Sequence, residues 1–303
     1  MVPLYNTGPT LVNLLAAFQE LKVTFSWELI LVDDGSSDGT FQHAETLATG
    51  FPAPITLVEF ARNFGEHAAV LEGYRRARGK FIVNLDDDLQ NPLSEAVKLI
   101  HSLKTTGLDV VYSKYAIKQH SWGRNFLSWA ANRCATLVLG KPPDLYLSSF
   151  RAVRGELANR IVGYQGPYPY IDGLIIGATN RIGTLEVAHA ERQAGKSGYT
   201  FRKLIRLGMT LLFDFSIMPL RIASMLGIAL CSIGVLLLAG VILELYLFGP
   251  QQRGWASLMG ALATFSGAQL LMLGIIGEYM GRSYLTVSGK PQSLVRQVHS
   301  HRV

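Results

Sequence analysis

The sequence predicts an α/β domain built on a mostly parallel sheet, followed by a hairpin of two membrane-spanning helices. Three observations carry this reading. Strand-like and helix-like segments alternate through the first two thirds of the chain. The strand-like runs end in polar residues, most densely at Asp86-Asp87-Asp88. The last third holds two long apolar stretches with almost no charge. Alternation of strand and helix implies parallel strands covered on both faces. Polar residues at successive strand ends then gather on one edge, where open α/β sheets bind their ligands.

Composition sets the same bounds. The chain of 303 residues is 49% hydrophobic and 17% charged, with a mean hydropathy of +0.24. This is too apolar for an ordinary soluble enzyme and too charged for a purely membranous protein. A domain of roughly 200 residues with a short membrane part fits. The net charge is +6, and the basic residues crowd near the apolar spans, which points to topology and phospholipid contact. No helix-turn-helix or RNA-binding signature is present, so nucleic acid is not an expected partner. Cys134 and Cys231 lie far apart without metal spacing, which suits a reducing cytoplasm. No basic flank leads into an apolar run at Met1, so no signal peptide is expected.

Taken in order, Met1 to Asn6 reads as the tail of a strand and its loop, and Thr10 to Leu21 has apolar residues at helical spacing. Glu28 to Val32 is a buried strand ending at Asp33-Asp34-Gly35, where Asp33 or Asp34 is placed to bond a base or ribose. Read alone, Asp34-Gly35 is also a plain turn signal. Ile55 to Phe60 is a strand ending at Arg62-Asn63-Phe64-Gly65. Arg62 there suits bidentate pairing with a carboxylate or phosphate, although a lone arginine is more often structural. Ala68 to Ala77 is a helix, and Lys80 to Leu85 is a strand running straight into the acids. Three adjacent carboxylates repel one another unless a cation neutralises them, so a divalent metal is the natural partner, and such a metal commonly clamps a diphosphate. Neither Gly-x-Gly-x-x-Gly nor a Gly-rich loop ending in Lys-Ser/Thr is present, which excludes the common dinucleotide and P-loop folds.

Asp109 to Lys114 is a further strand with a polar end, and Arg124 and Arg133 follow on a helix. Asp144 precedes Phe150-Arg151, and the segment His189 to Tyr199, with Arg192 and Lys196, leads toward the membrane. Basic groups gathered near a bilayer suit a lipid phosphate and a leaving diphosphate, and anionic headgroups would use them equally well. Thr200 to Phe213 mixes basic and apolar residues as an interfacial amphipathic helix does. Ser224 to Phe248 and Trp255 to Gly277 are each long enough to cross a bilayer core of about 30 Å, with Glu244 the only charge in either. Basic residues before the first span and after the second put both flanks on the cytoplasmic side. Gly277-x-x-x-Gly281 suits close helix packing, and Glu278 and Arg282 are spaced to pair. The expected divisions are a catalytic domain over 1–199, an interfacial segment over 200–220, a transmembrane hairpin over 221–282 and a cytoplasmic tail over 283–303.

Four motifs, Pro3-x-Tyr5-Asn6, Val32-Asp33-Asp34-Gly35-Ser36-x-Asp38-Gly39-Thr40, Arg62-Asn63-Phe64-Gly65 and Asp86-x-Asp88-Leu89-Gln90, resemble the ordered motifs of family 2 glycosyltransferases. The closest subgroup is the polyprenyl-phosphate glycosyltransferases, which include dolichol-phosphate mannosyltransferases, bactoprenol glucosyltransferases and undecaprenyl-phosphate aminoarabinose transferases. The resemblance covers nearly the whole chain. It implies a GT-A fold and a nucleotide-sugar donor, UDP ahead of GDP. It further implies Mg2+ or Mn2+ as cofactor, and inverting transfer of one sugar to polyprenyl (undecaprenyl) phosphate at the bacterial inner membrane. By the same resemblance Pro3, Tyr5, Asn6, Asp33, Asp34, Arg62, Asn63 and Asp86 fall in donor-binding motifs, and Asp88 and Gln90 match the metal ligands. Arg192 and Lys196 match a loop closing over the donor, and Lys114, Arg124, Arg133 and Arg151 match the acceptor-phosphate side. Asp88, Asp144 and Arg151 are the candidate catalytic residues; where some relatives carry an Asp before Phe-Arg, this chain has Ser149, which leaves Asp144 as the candidate base.

The first strand is shorter than relatives usually have, which suggests a truncated start. A processive polysaccharide synthase would need more than two spans. A non-catalytic, lipid-binding or lipid-translocating relative would not need an intact Asp88-x-Gln90 pair. Membrane lipids are expected partners, and a homo-oligomer through the helices is a further expectation.

Overall fold

A computed structural model of the chain describes residues 1–8, 10–115, 136, 141–142, 145–188, 216–249 and 254–301. The first half alternates as the sequence pattern requires: β1 (Val2–Leu4), α1 (Thr10–Gln19), β2 (Leu29–Asp33), α2 (Thr40–Ala48), β3 (Ile55–Phe60), α3 (Glu66–Arg76), β4 (Phe81–Asn84), α4 (Leu93–Thr106) and β5 (Val110–Tyr115). Then come β6 (Arg151–Arg154), α5 (Gly155–Ile161), α6 (Ile171–Ala178) and β7 (Ile182–Val187). Two long helices, α7 (Met218–Phe248) and α8 (Trp255–Val287), precede a last strand, β8 (Val295–His301).

The strands form two four-stranded ladders, β1-β2-β3-β8 and β4-β6-β5-β7. The ladders are joined where the Met1 main-chain nitrogen donates to the Val83 carbonyl at 2.9 Å and the Leu85 amide donates to the Met1 carbonyl at 3.1 Å. One residue bonding to two residues i and i+2 of its neighbour is the parallel pattern. Strands β6 and β8 run against the other strands. Both faces are covered. Alternate residues of β2 divide between the two cores, with Leu29 and Leu31 packed on the side of α1, α2 and α4 and Ile30 and Val32 on the side of α3, α5 and α6. The second ladder divides the same way, Val111 and Ala152 to one core and Val110, Tyr112 and Val153 to the other. Buried on both sides, β2 and β3 are runs of mostly apolar residues, as expected of the centre of a doubly covered sheet.

The membrane part differs from expectation in two respects. Helices α7 and α8 are longer than the predicted spans, with 31 and 33 residues, so at ~1.5 Å per residue each overreaches a hydrocarbon core of ~30 Å. Both are long and apolar enough to cross a membrane, and their apolar side chains are largely exposed on the helix surfaces. The helices meet at Gly227, where a Cβ would stand 3.0 Å from the Met272 methyl, and at Gly234, beside Phe265. The expected close packing at Gly277 and Gly281 is absent among the described residues, since nothing lies within 4 Å of a Cβ at either. The expected Glu278–Arg282 pair is present at 2.9 Å.

The segment 283–301 folds back onto the α/β domain. It completes α8 and then returns as β8, antiparallel to β3 from Ile55↔His301 to Phe60↔Val295. Arg296 donates to the Glu59 carboxylate at 3.0 Å and to the Ala61 carbonyl at 3.1 Å. Gln292 donates to the carbonyls of Tyr164 and Gly166. Together with the Tyr279 hydroxyl donating to the Ser216 carbonyl at 2.6 Å, these bonds hold both free ends of the hairpin beside the α/β domain. Most of the predicted interfacial segment lies outside the described residues. Removing residues 295–303 should bare the β3 edge and leave buried Glu59 without its arginine. The expected outcome is a lower unfolding midpoint and concentration-dependent aggregation, read by circular dichroism melts and light scattering in detergent.

Candidate functional site

Six parallel strands deliver their carboxyl ends to one edge. Because β6 runs the other way, its amino end, Ser148-Ser149-Phe150-Arg151, arrives at that same edge. The site is therefore a ring of loops, and buried side chains stitch them together.

Asp34, only 3% exposed, accepts the main-chain amides of Phe64 at 2.6 Å and Gly65 at 2.9 Å. Burial raises its carboxyl pKa and those two amides partly offset this. Asp33 accepts the amide and hydroxyl of Ser36. Asn6 accepts the Ser37 amide at 2.9 Å while its own amide donates to the Ser36 hydroxyl. Both carboxylates are thus engaged with loop backbone and, for Asp33, with a serine. Gly35 has a φ of +68°, and a Cβ there would stand 2.4 Å from the Arg62 carbonyl carbon. Only glycine lets the loops after β2 and β3 approach this closely. Arg62 and Asn63 are exposed, and the Arg62 guanidinium lies 4.5 Å from the centre of the Phe64 ring.

The acidic loop is held from three sides. Asp86 accepts the Ser149 hydroxyl at 2.7 Å, Asp87 accepts the Thr7 hydroxyl at 2.7 Å, and Asp88 accepts the Gln90 amide at 3.1 Å. Leu89, between the two expected metal ligands, sits at a φ of +57°, a conformation that L residues adopt only when their surroundings impose it. Burial raises the Asp86 and Asp87 carboxyls, the hydrogen bonds from Ser149 and Thr7 oppose this, and Asp88 repels both. Among the described residues no group of three or more His, Cys, Asp or Glu side chains converges as a closed metal cage. The donor set is a short run of hard oxygen groups in mutual repulsion. That fits a hard cation that draws its remaining ligands from elsewhere.

Arg151 is set into the core. It is 2% exposed, it is paired with Asp172, and it donates to the Ser148 carbonyl at 3.3 Å. Asp172 also accepts the Tyr112 hydroxyl at 2.9 Å. Burial alone would lower the arginine pKa, but Asp172 beside it raises it instead, so the guanidinium stays charged. Asn84, Arg151 and Tyr112 are direct cross-strand partners and so share one face of the sheet. Arg151 thus anchors a buried polar row beneath the acidic loop. Lys114, by contrast, is exposed, with its ammonium 4.0 Å from Glu186. Asp144, Arg124, Arg133, Arg192 and Lys196 lie outside the described residues.

Sequence reading missed Asp172, Tyr112, Thr7 and Glu66, and it noted Ser149 only as a departure from the pattern of relatives. Only Glu66 carried a local signal, as the first helical residue after a strand-end motif. Glu66 keeps part of its surface in solvent, yet the protein packed around its carboxyl strips water from it and lifts its pKa to about 7; Asp86 adds repulsion and Arg151 pulls the other way. Beside it, burial holds His67 down to about 4.

A doubly covered, mostly parallel sheet with an acidic loop at the carboxyl edge of its fourth strand defines the GT-A class of glycosyltransferase domain. The fold resembles glucosyl-3-phosphoglycerate synthase from Mycobacterium tuberculosis, whose structure is a complex with Mn2+, UDP-glucose and phosphoglyceric acid. The TM-score is 0.50 at 19% identity, over 71% of this chain and 76% of that one. Residues 1–163 match Glycosyl transferase family 2, and the chain belongs to that family. It is 33% identical over 302 residues to undecaprenyl-phosphate 4-deoxy-4-formamido-L-arabinose transferase of Proteus mirabilis (strain HI4320), over 98% of this chain and 92% of that protein. The protein of the same name from Serratia proteamaculans (strain 568) is 34% identical over 304 residues, with the same coverage.

Two outcomes follow from this geometry. Asp172→Ala should strand the buried Arg151 charge and cost about 3–5 kcal/mol of stability, whereas Tyr112→Phe should cost about 1 kcal/mol; chemical denaturation of the two variants checks both. For Glu66, the folded pKa lies above the ordinary 4.5, so the native state holds the proton more tightly. Its contribution to stability falls as pH rises from 4.5 to about 7 and is level above that. Glu66→Gln should therefore gain in melting temperature relative to the parent between about pH 5 and about pH 8, with His67 common to both proteins.

Proposed function

We propose that the protein transfers one sugar, with inversion, from a nucleoside-diphosphate sugar to undecaprenyl phosphate at the cytoplasmic face of a bacterial inner membrane. The observation that carries this reading is the 33–34% identity over 98% of the chain to undecaprenyl-phosphate sugar transferases, both apolar helices included. In this reading Tyr5, 52% exposed at the end of β1, stacks on the base, and Pro3 and Asn6 shape the same pocket. Arg62 and Asn63 face the donor from the loop after β3. Asp88 and Gln90 hold Mg2+ or Mn2+, which when bound neutralises the leaving diphosphate. Lys114 receives the acceptor phosphate from the end of β5, together with Arg124 and Arg133, and Arg192 and Lys196 close over the donor.

The acceptor is a phosphate monoester, already anionic near neutral pH, so a phosphate oxygen attacks the anomeric carbon without a strong base. The bond from that carbon to the diphosphate breaks, and the nucleoside diphosphate leaves. The work of the chain is positioning and charge neutralisation, and Asp144 remains the candidate if a base takes part. The hairpin of α7 and α8, anchored to the domain through β8 and Gln292, keeps the site at the bilayer surface, where the lipid phosphate lies.

The test is transfer of labelled sugar to undecaprenyl phosphate in detergent, with Mn2+ or Mg2+ and a panel of UDP-, GDP- and dTDP-sugars. The expected result is a metal-dependent lipid product that falls at least a hundredfold in Asp88→Asn, roughly the loss of one charge-stabilising group. Equal product with and without Asp88, or none from any donor with folded protein, would overturn the reading.

A further inference from the structure

The three acids after β4 face three different partners. Asp86 is bound to Ser149, at the amino end of β6. Asp88 is bound within its own turn. Asp87 reaches back across the sheet edge to the loop after β1, where it accepts the Thr7 hydroxyl at 2.7 Å. Thr7 is 6% exposed. Its amide donates to the Thr40 hydroxyl at 3.1 Å, and that hydroxyl donates to Asp38 at 2.6 Å. An unbroken run of bonds, Asp38 to Thr40 to Thr7 to Asp87, thus ties the ends of β2, β1 and β4.

We propose that Asp87 is a positioning residue and not a metal ligand. It latches the loop carrying Tyr5 and Asn6 to the loop carrying Asp88 and Gln90. The inference rests on the donor-site reading above. In that reading the first loop holds the nucleoside and the second holds the metal and diphosphate. One donor molecule must span both, so the latch sets the distance between its two ends before it arrives. Preorganisation of this kind lowers the ordering cost of binding. A carboxylate acceptor suits the task, because bonds to a charged acceptor are shorter and stronger than neutral ones. The middle position is free for it because its neighbours point elsewhere.

The consequence is specific. The latch helps only when a ligand engages both loops. Its loss should therefore weaken metal-dependent nucleotide binding and leave metal-free binding alone. The experiment is calorimetric titration of the full chain in detergent with UDP, GDP and dTDP, in Mn2+ and in EDTA, taking the tightest of the three forward. Asp87→Ala and Thr7→Val should each weaken binding in Mn2+ about tenfold, the scale of one charge-assisted bond, with less than a twofold change in EDTA. The double variant should lose no more than either single variant. Thr7→Ser, which keeps the hydroxyl, should bind as the parent does, and a circular dichroism melt reports whether each variant is folded. In turnover, the donor KM of Asp87→Ala should rise with kcat held within about twofold.

Additive losses in the double variant, equal losses in Mn2+ and EDTA, or no rescue by Thr7→Ser would overturn the latch. Loss of Mn2+-dependent binding in Asp88→Asn but not in Asp87→Ala would overturn the latch and leave the donor site standing. No Mn2+-dependent binding of any of the three nucleotides by the parent would overturn both.

Discussion

Strand ends leave main-chain amides without ladder partners, and a buried amide left unbonded is costly. At the carboxyl edge of this sheet, carboxylates take those bonds. Asp34 accepts two amides of the loop after β3, Asp33 and Asp38 accept amides of the turn after β2, and Asp88 accepts one in the loop after β4, while Asp87 takes the Thr7 hydroxyl of the loop after β1. Much of the acidity that reads as ligand chemistry is first a solution to backbone accounting. Its by-product is an edge at which carboxylates crowd and repel. The acids that hold the loops also leave excess negative charge where a cation is called for.

The antiparallel strand β6 is the second organising feature. Placed between β4 and β5, it brings its amino end to the carboxyl edge of its neighbours. Ser149 then steadies Asp86, while Ser148 bonds Ser113 at the end of β5. Arg151, one register step below, is paired with Asp172 in the core. A buried pair of this kind adds little net stability against an apolar pair of equal volume, but breaking it is expensive. Its value lies in fixing the row Asn84, Arg151 and Tyr112 under the acidic loop.

Attachment to the membrane follows from the return of the chain. Helices α7 and α8 form a hairpin whose start is tied to α8 by Tyr279 bonding Ser216 and whose end is tied to the α/β domain by β8 on β3. Two covalent exits and a seven-residue ladder restrict the domain far more than one flexible linker would. For a reaction between a soluble donor and a lipid phosphate, restricted orientation at the surface is worth having.

The alternation of strands and helices, the order of the loop motifs, the two apolar helices and the acidic loop after the fourth strand were all legible in the sequence. Each is a local pattern, written in residues a few positions apart, where periodicity and turn chemistry act directly. Only the tertiary structure decided which acid does what. Asp87 meets Thr7 across 80 positions, Asp172 meets Arg151 across 21, and Arg296 meets Glu59 across 237. Three adjacent aspartates look alike along the chain. They differ because β1 lies beside β4 and β6 enters antiparallel, and strand order is set by the burial of whole faces, which no short stretch of sequence encodes.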